Sequence, residues 1–222
     1  RYKMTKEQFA GLFQNNINGV SRLSEDYHHI LLADINSDLI NDYNFLFDHF
    51  IGPEGKMTFG EIQETLQYKD FVAKIPFLYT GYSDTPGIGD DYGYSWLLYL
   101  LAGHTIDQVK AMANEAISFE LANQISKQTL ESPTNLKTKA GTVSYSYQSG
   151  LRIFPEMQDL ISTLRTSGID VFIVSASYKP VVEVFSGIGT YGYNVSPDHV
   201  IAMELAIDNN GKILPQYKDG WV

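Results

Sequence analysis

The stretch that decides the fold runs from residue 150 to residue 177 and reads GLRIFPEMQDLISTLRTSGIDVFIVSAS. Pro155 begins a predicted helix and Gly168 ends it, since proline is favoured at a helix start and glycine just past a helix end. Residues 169–174 are apolar and β-branched except for Asp170, a pattern typical of a strand covered on both faces. The predicted buried stripe of the helix consists of Met157, Leu160, Ile161 and Leu164.

The order of elements around this stretch favours an α/β fold. An apolar run over residues 30–33 predicts a strand that ends at Asp34, and a largely helical insert from Asp42 to about Leu136 follows it. This order predicts a parallel sheet whose first crossover carries an inserted helical cap. In open α/β sheets ligands bind beyond the carboxyl ends of strands, and Asp34 and Ser175 both stand at such ends.

Local signals predict several further elements. Thr105 and Gln108 form a capping box at the start of a helix, and alternating residues from Thr142 to Tyr147 predict a half-buried strand. Pro180 opens another helix after Ser177, which is a candidate helix cap. The run Asp208-Asn-Asn-Gly211 predicts a hairpin between strands over 200–207 and 212–214.

Composition excludes several classes of function. The 222 residues contain 16 Lys and Arg against 26 Asp and Glu, and a net charge of −10 repels nucleic acid. With no cysteine, the chain has no disulfide scaffold, thiolate metal site or cysteine nucleophile. Its longest apolar run, Trp96–Ala102, is far shorter than a membrane span, and the five histidines lack metal-ligand spacing. The Tyr- and Asn-rich composition slightly favours an exported or cell-envelope protein.

Three stretches resemble phosphatases of the haloacid dehalogenase (HAD) type, in the phosphoserine and phosphorylcholine phosphatase branch. They are residues 150–177, Pro197–Leu205 with the hairpin after it, and Tyr94–Thr105. The resemblance covers roughly residues 28–222. It implies a HAD-like Rossmannoid core with a parallel sheet, formed by residues 1–52 and 137–222, and a helical cap over 53–136. The core is expected to continue past Val222, because the family's third motif (a Lys) and its fourth, metal-binding motif are not evident; Lys212 and Lys218 are the nearest lysines.

The resemblance assigns roles at the two strand ends. Asp34 takes the place of the nucleophile, and Asn36 takes the place of the acid–base Asp, whose backbone carbonyl binds Mg²⁺ in the family. Asp34 and Asn36 are therefore the expected metal ligands, and Ser175, Ser37 and Ala176 the expected phosphate-binding residues. A second registration, anchored on Asn41-Asp42, places Ala33 at the nucleophile position. Asn36 is open to three explanations: an inactivating substitution, natural decay or a rewired acid.

The predicted cap carries a cluster of aromatic and acidic residues. Aromatic faces attract quaternary ammonium groups, which suits a phosphorylcholine-like ester; the alternative is that these rings pack the cap interior. The expected substrate contacts are Tyr82, Asp91, Tyr94 and Trp96. Three functions follow as hypotheses: a Mg²⁺-dependent phosphomonoesterase that forms an aspartyl-phosphate on a small polar or cationic ester, a non-catalytic binder of a phosphate or choline-like ligand, and an acidic interaction domain.

Overall fold

The computed structural model describes residues 3–13, 30–85 and 92–218, apart from the side chain of Tyr94. The protein is a mixed α/β structure that divides into two compact units. Unit 1 comprises Arg1–Ala102 and Gln128–Tyr147, and unit 2 comprises Gly103–Lys127 and Gln148–Val222. The predicted boundary between residues 52 and 53 lies within unit 1, because the helices on either side of it pack against each other.

Unit 1 is built mainly from helices. These are α1 (Lys6–Ala10), α2 (Leu32–Leu46) with a π-helical turn (Phe47–Ile51), α3 (Phe59–Gln63), α4 (Leu66–Ser83) and α5 (Tyr94–Tyr99). α2 packs along α4 and contributes a stripe at helical spacing to the unit's core. That stripe consists of Leu32, Ile35, Leu39, Tyr43 and Leu46.

The strand predicted over residues 30–33 is wrong. Leu31 makes one isolated bridge, and helix α2 begins at Leu32. A run of four apolar residues has no decisive period, so the helical spacing of the residues after it determines the outcome. Asp34 therefore lies in the first turn of a helix.

Unit 2 contains the predicted alternation of helices and strands. Its elements are α6 (Ile106–Ala122), α7 (Pro155–Thr166), β3 (Ile173–Tyr178), α8 (Lys179–Ser186), a 3₁₀ turn (Pro197–His199), β4 (Val200–Met203), β5 (Leu205–Ile207) and β6 (Ile213–Tyr217). β1 (Ser126–Glu131) and β2 (Ser144–Ser149) form a two-stranded sheet through which the division between the units runs. β1 corrects the prediction of a largely helical insert, because it lies within the stretch from Asp42 to about Leu136.

The capping and turn signals are confirmed. Thr105 Oγ1 accepts the Gln108 amide at 3.2 Å while the Thr105 amide donates to Gln108 Oε1 at 3.0 Å. Pro155 is the first residue of α7, and Gly168 follows that helix with a φ of 80°. β5 and β6 pair antiparallel around the turn at Asp208, whose Oδ1 accepts the amides of residues 210 and 212. Such signals act over a few residues and so do not depend on the tertiary fold.

The parallel pair β3–β4 is the centre of unit 2. Ile173 lies opposite Val200 and Ser175 lies opposite Ala202. One face of the pair joins a cluster that includes Ile161 and Val195. The strand begins four residues later than predicted, and it is not covered on both faces, since Val174 is 76% exposed. The predicted stripe of α7 is also half wrong: Ile161 is buried and Leu164 partly buried, but Met157 and Leu160 are exposed.

Candidate functional site

The carboxyl end of β3 forms a bulge around the predicted phosphate-binding residues. Ser175 lies opposite Ala202 and Tyr178 lies opposite Met203, so Ala176 and Ser177 have no counterpart on β4. Ser175 is partly buried, and its Oγ accepts the Ser177 amide at 3.1 Å. This bond fixes the oxygen and leaves the hydroxyl hydrogen to donate to a ligand. Bulges of this kind often adjoin active sites, where they redirect side chains.

Helix α8 begins directly after the bulge. Among the described residues, no side chain caps its N-terminus; the residue at the cap position is Tyr178, so the predicted cap at Ser177 is wrong. Backbone amides at such a terminus attract anions. Lys179, in the first turn, lies 3.8 Å from Glu204, and Lys218 lies 3.0 Å from the same carboxylate.

Tyr178, the last residue of β3, is buried at the end of the bulge. Burial, together with the Glu204 carboxylate, raises the pKa of its phenol to about 12. The phenol therefore stays protonated at neutral pH. Its oxygen is buried with no hydrogen-bond partner among the described residues.

The first set of predicted catalytic residues lies in helix α2 of unit 1. Asp34 is partly exposed, while the buried Asn36 accepts a hydrogen bond from the Tyr82 phenol at 2.8 Å. Ser37 Oγ accepts a hydrogen bond from the Lys139 ammonium group at 3.0 Å. Asp34 and Ser37 thus lack the strand-end position from which their predicted roles were inferred, and they belong to a different unit from Ser175.

Asp34 and Asn36 do not fit a Mg²⁺ site. Residues two apart on a helix point in different directions, and a carbonyl inside a helix already accepts a backbone amide. The side-chain oxygen of Asn36 already accepts a hydrogen bond from the Tyr82 phenol. Within the described ranges, no three His, Cys, Asp or Glu side chains are grouped so that they could hold a metal ion.

The aromatic residues predicted to contact substrate form part of the core of unit 1. Tyr82 and Trp96 are fully buried, and their rings meet edge to face at 5.4 Å. The Trp96 indole donates to the carbonyl of Leu12 at 3.1 Å. These rings have no open face for a ligand, which agrees with the alternative of interior packing. Asp91 and the side chain of Tyr94 lie outside what the structure describes.

A buried charged cluster in unit 1 was missed by the sequence reasoning. The ammonium group of Lys74 is fully buried and contacts Asp38 at 2.9 Å, Asp70 at 2.7 Å and Thr138 Oγ1 at 2.9 Å. Asp38 also accepts the backbone amides of residues 139 and 140, each at 2.9 Å. The cluster joins α2, α4 and the segment before β2. The sequence signal that could have revealed this cluster is the presence of aspartates among the apolar residues of α2.

Asp42 lies one helical turn beyond Asp38 and carries a proton at neutral pH. Burial raises its pKa to about 8, with further contributions from the Asp70 carboxylate and a hydrogen bond between the two groups. Asp42 Oδ2 accepts no hydrogen bond from the described residues. This is expected of a protonated carboxyl group that acts as the donor in its hydrogen bond with Asp70. Ionisation would add a second uncompensated negative charge to the cluster.

We expect Asp42 to make unfolding depend on pH. The folded protein holds this proton up to about pH 8, whereas the unfolded chain releases it near pH 4. The free energy of unfolding should therefore fall as pH rises through this window, by up to about 1.4 kcal/mol per pH unit, and level off above it. Asp42→Asn should flatten the slope in urea denaturation between pH 5 and 8. The exposed control Asp159→Asn should not, and equal slopes in all three proteins would contradict this role.

Comparisons with known proteins agree with the α/β fold. No protein-family model matches the sequence. The chain is 28% identical to a conserved protein of unknown function from Anaerococcus prevotii, whose crystal structure matches with a TM-score of 0.86 over 99% of this chain and 58% of that one. The two proteins share a fold.

One curated relative has a named activity. The chain is 22% identical over 163 residues to phosphorylcholine phosphatase from Pseudomonas aeruginosa, an alignment that covers 72% of this chain and 44% of that protein. The chain therefore spans less than two thirds of either matched protein. The described residues contain no helix with the length and apolar character to cross a membrane.

Proposed function

We propose that this chain belongs to a phosphomonoester hydrolase of the HAD type, in which Ser175 holds a phosphate oxygen at the carboxyl end of β3. The observation that carries the proposal is the bulge after Ser175, which presents a fixed hydroxyl group beside the uncapped start of α8. Hydroxyl groups and backbone amides arranged in this way bind phosphate oxygens. The similarity to phosphorylcholine phosphatase supports the same reaction class.

The residues of unit 2 would bind and orient the phosphate group. The Ser175 hydroxyl would donate to one phosphate oxygen, and the positive end of the α8 dipole would favour the dianion. Lys179 would add positive charge near the same end of β3, with Glu204 limiting its motion. A small polar or cationic leaving group, such as choline or serine, is the substrate class that the named relative suggests.

Asp34 and Asn36 lie inside helix α2 and lack the strand-end position from which the resemblance assigned their catalytic roles. An aspartyl-phosphate intermediate and a requirement for Mg²⁺ stay predictions of the family resemblance. Removal of the metal ion by a chelator tests the requirement for Mg²⁺ directly.

The experiment is an assay of phosphate release by the complete gene product. Phosphorylcholine, phosphoserine and p-nitrophenyl phosphate are supplied separately, with EDTA and then with excess Mg²⁺. We expect hydrolysis of at least one ester, abolished by EDTA and restored by Mg²⁺. Absence of phosphate release from all three esters would overturn the proposed activity, and activity that persists in EDTA would overturn the metal requirement alone.

A further inference from the structure

A cavity of about 520 Å³ in unit 1 adjoins the buried charged cluster. Its floor includes Asp38 and Asp42 of α2, which are buried, at 2% and 3% exposure. Its walls come from α2, α4 and the segment before β2, through the partly buried residues Phe45, Gln67, Leu136 and Thr138. The cavity has the volume of a small-molecule site and reaches carboxyl groups that the fold otherwise encloses.

Two groups beside the floor already have protein partners. The Lys74 ammonium group donates to Asp38, to Asp70 and to Thr138 Oγ1, which accounts for its three N–H donors. Asp38 accepts this bond and also the backbone amides of residues 139 and 140. Lys74 and Asp38 therefore contribute charge to the cavity without needing a ligand.

Asp42 differs from these groups. Its Oδ2 is buried and accepts no hydrogen bond within the described ranges, while the proton of its carboxyl group serves the hydrogen bond with Asp70. A protonated carboxyl group supplies one donor and keeps its remaining capacity as an acceptor. A buried acceptor that is left unused is unfavourable. An N–H donor that enters the cavity would satisfy it.

The charges that face Asp42 favour a cationic donor. Two carboxylates, those of Asp38 and Asp70, act on it together with a single cation, Lys74. While Asp42 keeps its proton, this set carries one net negative charge. A ligand ammonium group in place of the proton would pair with the carboxylate that Asp42 becomes. A primary ammonium group suits this position and a quaternary one does not, because only the former has N–H groups to donate.

The rim of the cavity carries the opposite charge. Lys137 and Lys139 line it and are exposed. The Lys139 ammonium group donates to Ser37 Oγ, which is neutral, and neither lysine forms an ion pair with a described residue. Both cations are therefore available to an anionic group. Between rim and floor, Phe45 and Leu136 offer apolar contacts to the body of a ligand.

We propose that this cavity binds a small zwitterion, with its primary ammonium group on Asp42 and its anionic group at Lys137 and Lys139. The buried, unpaired oxygen of Asp42 in the cavity lining carries the proposal. On binding, Asp42 releases its proton to solvent. The ligand's ammonium group keeps its three protons and donates one hydrogen bond to the carboxylate. The site is formed by unit 1, does not include Ser175 and goes beyond the proposed hydrolase activity.

Calorimetric titration of the complete gene product tests the proposal. The probes are glycine, γ-aminobutyrate and 6-aminohexanoate, which lack phosphate and separate their charges by increasing lengths of chain. Each is titrated at pH 7 in buffers of different ionisation enthalpy. We expect saturable binding of at least one probe with release of nearly one proton per ligand, because the pKa of Asp42, about 8, keeps it mostly protonated at pH 7.

The affinity should also depend on pH. Since the proton and the ammonium group compete for Asp42, the bound probe should bind about 10-fold more tightly at pH 7 than at pH 6. Its N-trimethyl derivative keeps the charge but has no N–H group, and should bind at least about 10-fold more weakly. Failure of all three probes to bind, binding without proton release, or equal binding of the N-trimethyl derivative would each overturn the proposal.

Substitutions assign the two ends of the ligand. Asp42→Asn preserves the size of the side chain but cannot ionise, so it should weaken binding by about 10-fold or more and abolish proton release. Lys137→Gln should weaken binding a few-fold, with a larger effect at low salt. The exposed control Asp159→Asn, in unit 2, should bind as before. Equal affinity in Asp42→Asn would overturn the proposal, and proton release by the unsubstituted protein decides it if that variant does not fold.

Ser175→Ala separates this site from the phosphate site. The variant should bind the zwitterion with unchanged affinity, because Ser175 belongs to unit 2. Loss of zwitterion binding in Ser175→Ala would overturn the assignment to the cavity of unit 1. The outcome is independent of whether the protein hydrolyses phosphate esters, since neither the probes nor the measurement involves turnover.

Discussion

Replacement of Lys74 by methionine is expected to lower the free energy of unfolding by about 3–5 kcal/mol. Lys74 is fully buried, and its ammonium group lies within 2.9 Å of Asp38 and 2.7 Å of Asp70. Methionine fills a similar volume, so the loss comes from two buried carboxylates that keep their charge without the cation. Urea denaturation followed by circular dichroism measures the change.

Lys69→Met is the matched control in the same helix. Lys69 contacts Glu64 at 2.9 Å, but both side chains are exposed, at 45% and 81%. Exposed ion pairs contribute about 0–1 kcal/mol, so this variant should be nearly as stable as the unsubstituted protein. Equal destabilisation by the two substitutions would contradict the role given to burial.

Removal of charge from the partners should offset part of the loss. In the variant that combines Lys74→Met with Asp38→Asn and Asp70→Asn, no buried carboxylate lacks its cation. We expect it to be more stable than Lys74→Met alone, because a neutral cluster avoids most of the desolvation cost. If the combined variant were less stable than the single one, hydrogen bonding and not charge would be the main contribution of these aspartates.

The second large effect is expected at Ser175. Ser175→Ala should lower kcat/KM for a phosphate ester by about 100-fold, the usual loss when one preorganised donor to a developing negative charge is removed. Ser175→Thr keeps the hydroxyl group and should retain more activity. Ser146→Ala removes an exposed strand hydroxyl in unit 1 and should leave kcat/KM unchanged. An unchanged kcat/KM in Ser175→Ala would contradict the assignment.

The structural elements that were predicted most accurately from the sequence are those with local signals. The capping box at Thr105, the proline at the start of α7 and the glycine after it, and the turn at Asp208 all depend on a few neighbouring residues, and each was placed correctly. The position of Ser175 near the carboxyl end of a parallel strand was also predicted. The two-residue bulge beyond it was not, since it depends on the register with β4.

The prediction of a strand before Asp34 is wrong because the helical spacing of the residues that follow determines the structure of the four-residue apolar run. Leu32, Ile35, Leu39 and Tyr43 repeat at helical spacing, and this repeat outweighs the four apolar residues at its start. The charged cluster depends on contacts between Asp38 and residues 36 and 102 positions further along the chain. Such contacts are set by the packing of α2 on α4, which a local pattern does not specify.

Calorimetric titration of the complete gene product with inorganic phosphate tests the phosphate site most directly. Inorganic phosphate presents the oxygens that Ser175 is proposed to hold, and the measurement does not require turnover. The account predicts saturable binding that Ser175→Ala weakens by about 10-fold or more, as expected for the loss of a hydrogen bond to a charged group, while Ser146→Ala binds as before. Phosphate binding that is equally tight in the Ser175→Ala variant, or no binding by the unsubstituted protein, would contradict it.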